Sequence, residues 1–215
     1  LQFLQWLERS GYDVTYSTSV DTHANGAALR NSKGFLSVGH DEYWSKEMFD
    51  AAVAARDAGV SLGFFGANAV YWQIRYESSS GGAPNRVLVC YKTAAADPVQ
   101  GPTTTTNFRA PPVNRPEQTL IGIQFSSAGF YANTPAPYVV SNASNWVFAG
   151  TGVSNGTSIP GIVGYEVDRY FPGTPLPPNK SWTLLSQSPF VDTNGTTDIG
   201  HSSIYQAFSN AWVFA

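Results

Sequence analysis

Gly34-Phe-Leu-Ser-Val-Gly-His-Asp-Glu-Tyr-Trp-Ser45 is the stretch on which the fold turns. An apolar run (Phe35, Leu36, Val38) stops at Gly39. Four side chains able to ligate a metal or move a proton follow without a gap: His40, Asp41, Glu42 and Tyr43. Ser45 then opens a helical pattern as its N-cap. Glu47 and Asp50 lie in the first turns, Ala51 to Ala58 form the body, and Gly59 ends it. A buried strand that turns on a glycine and enters a helix delivers its last residues to the carboxyl edge of a sheet. In open α/β sheets that edge binds ligands.

Working outward, Leu1–Ser10 has helical spacing (Phe3, Leu4, Leu7) with Gly11 as a stop. Tyr12–Ser17 alternates as a strand, and Asp21–Gly26 reads as a loop. Val60–Phe65 is a second buried strand, followed by Gly66-Ala-Asn68, and Ala69–Tyr76 has the look of a short aromatic helix. This β–α–β alternation predicts a parallel sheet over residues 1–77. From Ser78 onward Gly, Pro and Asn punctuate short β-like runs: Val87–Tyr91, Leu120–Phe125, Tyr138–Val140, Trp146–Ala149, Ile162–Val167, Trp182–Leu185, Ile204–Phe208 and Ala211–Phe214. Residues 78–215 therefore read as antiparallel β structure packed on the α/β part. Phe171–Pro178 reads as a rigid connector. The chain opens without a start Met or an N-cap and closes on an unterminated strand pattern, which predicts a fragment or a processed chain; further domains or a homo-oligomer are the expected partners.

Composition narrows the function. At 215 residues the chain can bury roughly 70% of its unfolded surface and needs no staples. Charged residues make up only 13%, about half the usual share. Aromatics reach 14%, so the surface is neutral-polar and aromatic, a composition common in secreted and sugar-facing proteins. The net charge is −3 with no Lys/Arg run, which disfavours nucleic acid. No apolar stretch approaches the ~20 residues of a membrane span. The single cysteine, Cys90, lies in an apolar run and reads as a small buried hydrophobe. Four Asn-X-Ser/Thr sequons (Asn142, Asn155, Asn179, Asn194) hint at a secreted glycoprotein.

The candidate chemistry follows from residue type. His40 and Glu42 suit acid/base work, and Tyr43 suits a hard ion such as Fe(III) as a phenolate ligand. The alternative is structural: Asp41 and Ser45 capping the helix, Tyr43 and Trp44 packing under loops. Asn68, after the second strand, suits orienting a carbonyl or water. Trp44 and Trp72 suit walling a pocket, and Arg75 suits neutralising a carboxylate. In Gly164-Tyr-Glu-Val-Asp-Arg169, Glu166 is a candidate acid or base, against a solvated acid paired with Arg169. His23 and His201 are lone histidines in polar loops. No P-loop, GxGxxG, HExxH or CxxC string is present.

His40-Asp-Glu-Tyr-Trp44 also carries a family resemblance. It is joined by Trp6-Leu-Glu8, Gly11-Tyr-Asp-Val14, Gly66-Ala-Asn-Ala-Val-Tyr-Trp72, Arg115-Pro-Glu-Gln-Thr-Leu-Ile-Gly122 and Gly164-Tyr-Glu-Val-Asp168. Together they resemble the C-terminal domain of the N,N-dimethylformamidase large (beta) subunit and its secreted relatives. The resemblance implies a class I amidotransferase-like (flavodoxin-type) parallel sheet, with the antiparallel β-rich part beside it. It also implies one iron ion held by two tyrosines and a glutamate. Tyr43 matches one tyrosine. The other falls just ahead of Trp6, where the chain has Leu1. The glutamate falls in the segment before Asn107-Phe-Arg109, which here is Pro102-Thr-Thr-Thr-Thr106. With one ligand of three matched, the expected function is a non-catalytic or altered binding domain for a small amide or glycan. A metal-dependent amide hydrolase and a lectin-like protein are the alternatives.

Overall fold

The computed structural model describes residues 2–129 and 135–215. In chain order the helices are α1 (Gln2–Arg9), α2 (Ser19–Ala24), α3 (Lys46–Asp57) and α4 (Gln118–Ile121). The strands are β1 (Gly34–Val38), β2 (Tyr43–Ser45), β3 (Ser61–Phe65), β4 (Trp72–Glu77), β5 (Val87–Val89) and β6 (Gln124–Gly129). They continue as β7 (Ala136–Val139), β8 (Ser158–Val163), β9 (Tyr165–Arg169), β10 (Ser181–Val191), β11 (Thr197–Gln206) and β12 (Trp212–Phe214). The fold is mixed α/β, mostly sheet, with parallel and antiparallel pairs.

The principal sheet runs β1–β3–β12–β11–β10. β1 and β3 pair in parallel (Phe35↔Leu62, Val38↔Phe65), joined through α3. β12 is also parallel to β3 (Val213↔Leu62), while β11 and β10 follow antiparallel. The last strand of the chain thus seats itself between the first α/β unit and a long hairpin. A second sheet, β2–β4–β5, begins with the parallel pair Tyr43↔Trp72. β6 pairs with β9, and β7 with β8.

One core joins these layers. Trp44, Met48, Phe49, Leu62, Phe64, Phe108, Leu120, Ile121, Tyr205 and Val213 are all buried in a single cluster. Burying each such side chain is worth about 1.5–3 kcal/mol. α3 forms as its sequence requires, with Ser45 Oγ accepting the Met48 N–H at 3.2 Å.

Several expectations are corrected. Ala69–Tyr76 is not a helix. Asn68 and Val70 adopt left-handed φ of 57° and 60°, and Trp72–Glu77 is then captured as a strand between β2 and β5. Tyr12–Ser17 is unpaired chain, because alternation makes no strand without an edge to bond. Asp21–Gly26 is not a loop throughout: Thr18 and Asp21 form a capping box that starts α2. Trp146–Phe148 is a 3-10 turn capped by Asn145. Gly122 (φ 91°) divides Leu120–Phe125 into α4 and β6. Gly164 (φ 135°) divides Ile162–Val167 between two sheets. β1 is not fully buried, because it is a sheet edge and only its Phe35 and Ser37 face is covered. Leu36 and Val38 stay about two-fifths exposed. The helix expected from Leu1 is described from Gln2, and Leu1 lies outside the described residues.

Candidate functional site at the ends of two parallel strands

The register Val38↔Phe65 ends β1 and β3 side by side, so the turns that follow are forced together. The Gly39 N–H donates to Phe65 O at 3.3 Å. At Gly66 an added Cβ would lie 2.3 Å from Gly39 O, so only glycine permits this approach. Backbone bonds then fasten one turn to the other. Val70 N–H donates to Asp41 O (2.9 Å), and Tyr71 and Trp72 N–H both donate to Glu42 O (2.9 and 2.8 Å). The Asp41 carboxylate accepts from Ser37 Oγ at 2.6 Å, holding the turn to its own strand.

β9 brings the third side. Glu166 and Asp168 are two residues apart on a strand and share a face. Asn68 connects all of it. Its Nδ2 donates to Glu42 Oε1 (3.1 Å) and to Glu166 Oε1 (2.9 Å), and its backbone N–H donates to Asp168 Oδ1 (2.8 Å). His40 spans the same two glutamates, with Nε2 3.2 Å from Glu42 Oε2 and Nδ1 3.1 Å from Glu166 Oε2. His40, Glu42, Asn68 and Glu166, singled out from sequence, therefore meet in one cluster. Asp168 was missed. Its signal is its i+2 spacing from Glu166, which puts both carboxylates on one face of the strand. Burial pushes the Asp168 carboxyl up to about 7, and the nearby Glu117 and Glu166 charges add to it; the Asn68 N–H and Arg109 pull it back. Glu117 is itself buried under the Arg109 guanidinium (2.5 and 3.1 Å), and burial raises its carboxyl despite that partner.

The other candidates lie elsewhere. Trp44 has no exposed surface and packs against Phe35 and Phe64. Arg75 holds Asp97 (3.0 and 3.3 Å) and Glu77 (2.9 Å). Tyr43 Oη accepts from Lys92 Nζ at 2.7 Å, and that ammonium sits 5.1 Å from both the Tyr43 and Trp72 ring centres. His23 bonds Ser45 Oγ (2.8 Å), and His201 accepts the Tyr170 N–H (3.0 Å); burial lowers the His201 imidazole. Burial raises the Cys90 thiol. At the sequons, Asn155 and Asn194 are exposed. The Asn142 and Asn179 amides donate to Thr183 Oγ1 (3.0 Å) and Pro177 O (2.7 Å). Gly152-Val-Ser-Asn-Gly156 spells Gly-x-Ser-x-Gly, but it forms a turn ahead of β8 with Ser154 beside Thr157. No strand feeds it and no helix follows, as a nucleophile elbow requires.

The iron implied by the resemblance can be tested on these residues. Tyr43 already has an ammonium at its oxygen. Pro102–Thr106 carries no carboxylate, and the one it touches, Asp97, is consumed by Arg75, Val99 N–H and the Thr105 N–H and hydroxyl. Among the described residues no group of three or more His, Cys, Asp or Glu is arranged to hold a metal. The donor set around Tyr43 does not fit an iron centre.

Fold and cluster together define a mixed α/β domain with a polar cluster at the carboxyl ends of two parallel strands. The chain belongs to the family described as N,N-dimethylformamidase beta subunit-like, C-terminal, whose model matches residues 1–215. No curated protein matches the chain.

Proposed function

We propose that this domain is a binding member of its family, with the ligand site at His40, Glu42, Asn68 and Glu166 rather than at Tyr43. One observation carries the reading: the Asn68 carboxamide, 2% exposed, bonds both glutamates through Nδ2 while its Oδ1 has no partner among the described residues. An unpaired buried acceptor costs about 1–3 kcal/mol, a cost a ligand donor would relieve. A small amide offers such an N–H donor.

The wider expectations join this proposal. The amidotransferase-like, flavodoxin-type descent of the sheet is supported by β1–α3–β3 and by the parallel β12. Secretion is supported by the two exposed sequons, Asn155 and Asn194, and expression in a glycosylating host followed by glycosidase digestion would give a mass shift at those two sites. A sugar ligand is the second reading. It is favoured by the exposed Trp6 and Tyr12, whose ring centres lie 5.6 Å apart beside α1.

The test is calorimetry of the purified chain with formamide and N-methylformamide, a glycan array, and an assay for amine release. Saturable amide binding without amine release is the expected result. Metal-dependent amine release would overturn the binding assignment in favour of hydrolysis. Amide binding unaltered by Asn68→Ala would remove the site.

A further inference from the structure

We infer that the cleft between α2 and the β4–β5 hairpin is a second ligand site, one for a short zwitterionic peptide, with Asp21 taking its ammonium end and Arg86 its carboxylate end. The inference goes beyond the site reading above and does not depend on it. β4 starts at Trp72, whose N–H bonds the Glu42 carbonyl, and the cleft lies toward its other end. Tyr76, which lines it, is four residues on, about 13 Å along a strand. The cleft has a volume of about 540 Å³, within the roughly 300–1,000 Å³ of small-molecule sites.

Its charges set it apart. Only 13% of the chain is charged, and Arg56, Arg75, Arg109, Arg115 and Arg169 each hold a carboxylate. Arg86 lines the cleft, and its guanidinium has no partner among the described residues. Asp21 lines the same cleft from α2, and only its Oδ2 is engaged, by the Thr18 N–H (3.0 Å) and hydroxyl (2.7 Å). Those bonds hold its carboxyl below the usual carboxylate range, so it stays charged. The fold keeps the two opposite charges from pairing. Asp21 is fixed by its capping box, and Arg86 by its backbone N–H on Glu77 O (2.9 Å). A ligand with one charge would meet one attractive wall and one repulsive one, whereas a zwitterion satisfies both.

The rest of the lining suits a peptide. Val20 and Leu88 are 38% and 52% exposed and offer apolar surface to side chains. The Tyr76 hydroxyl and the Asn85 carboxamide have no hydrogen-bond partner among the described residues, and they match the C=O and N–H of one peptide bond. Burial raises the Tyr76 phenol, so it keeps its proton to donate. Its ring is held edge-on by His23 at 4.8 Å, which is tied to Ser45 Oγ (2.8 Å). A cleft of this volume is about 8 Å across, which two residues of extended chain span at about 3.5 Å each.

The test uses the full chain with three probes: leucyl-leucine, its N-acetyl form without the ammonium, and its amide form without the carboxylate. Binding is followed by calorimetry and by the Arg86 Nε–H and Leu88 methyl resonances. Leucyl-leucine should bind saturably, shift both resonances and leave the Asn68 side-chain NH2 in place. Each blocked form should bind about tenfold or more weakly, through loss of one charged hydrogen-bonding partner. Arg86→Gln and Asp21→Asn should each cost leucyl-leucine about the same factor; Asn keeps an oxygen for Thr18, and circular dichroism checks both folds. No saturable binding of leucyl-leucine, equal binding of either blocked form, or affinity unchanged in both variants overturns the inference. A shift at Asn68 in place of Arg86 and Leu88 would put the peptide at the strand-end cluster and overturn it too.

Discussion

The two ends of the His40–Ser45 segment have opposite fates. His40 and Glu42 lie before β2, in a turn free to aim at Asn68 and β9. Tyr43, Trp44 and Ser45 lie in β2, where pairing with β4 dictates direction. Trp44 goes to the core, Ser45 caps α3, and Tyr43 emerges beside Lys92. Six polar or aromatic residues in a row thus serve two separate places. A turn gathers side chains, whereas a strand parts neighbours to opposite faces.

That contrast can be broken most severely at Trp44. Trp44→Ala should cost about 3–5 kcal/mol in urea unfolding, because it empties a core site. A loss below about 1 kcal/mol would mean that the strand end is not anchored as described. Gly66→Ala should cost about 1–3 kcal/mol, since its Cβ meets the Gly39 backbone. It should also shift the Asn68 side-chain resonances, and an unchanged spectrum would show that the cluster does not depend on the two turns touching.

Asp168→Asn sharpens the turn-side cluster through pH. Its carboxyl sits at about 7 in the folded chain, above its usual 3.8, so the folded state holds that proton more tightly. The stabilisation is present at low pH and is lost as pH rises from about 4 to about 7. The Asn variant keeps an oxygen for the Asn68 N–H but has no such proton. Wild type should therefore lose stability relative to the variant across that window in paired unfolding curves. Parallel curves would refute the buried ionisation. Lys92→Met should have the smallest effect, under about 1 kcal/mol, because its contacts are exposed. It should leave the Asn68 resonances in place, and a large shift there would join the two ends that the structure separates.

Much of this was legible in the sequence where the signal is local. The strand–glycine–turn–helix order around Gly39, the Ser45 cap and the stop at Gly59 follow from side-chain size, capping and backbone freedom. His40, Glu42 and Asn68 were legible as candidates because polar groups at strand ends have few structural uses. The strand at Trp72–Glu77 was not, because a short apolar run carries no period of its own and takes the state of the edges that bond it. Asp168 was not, because a carboxylate on an alternating strand reads as solvent-facing until a second layer covers it.

The amino-acid order by itself determined the family, the β1–α3–β3 unit and the turns that end its strands, since each is written in contiguous residues. Only the tertiary structure decided that β12 enters the sheet beside β3, that Lys92 sits at Tyr43, and that Asn68 ties Glu42 to Glu166. Those contacts join residues that are tens to well over a hundred positions apart. They arise from burial and hydrogen bonding between layers, and no local pattern encodes which distant partner will arrive.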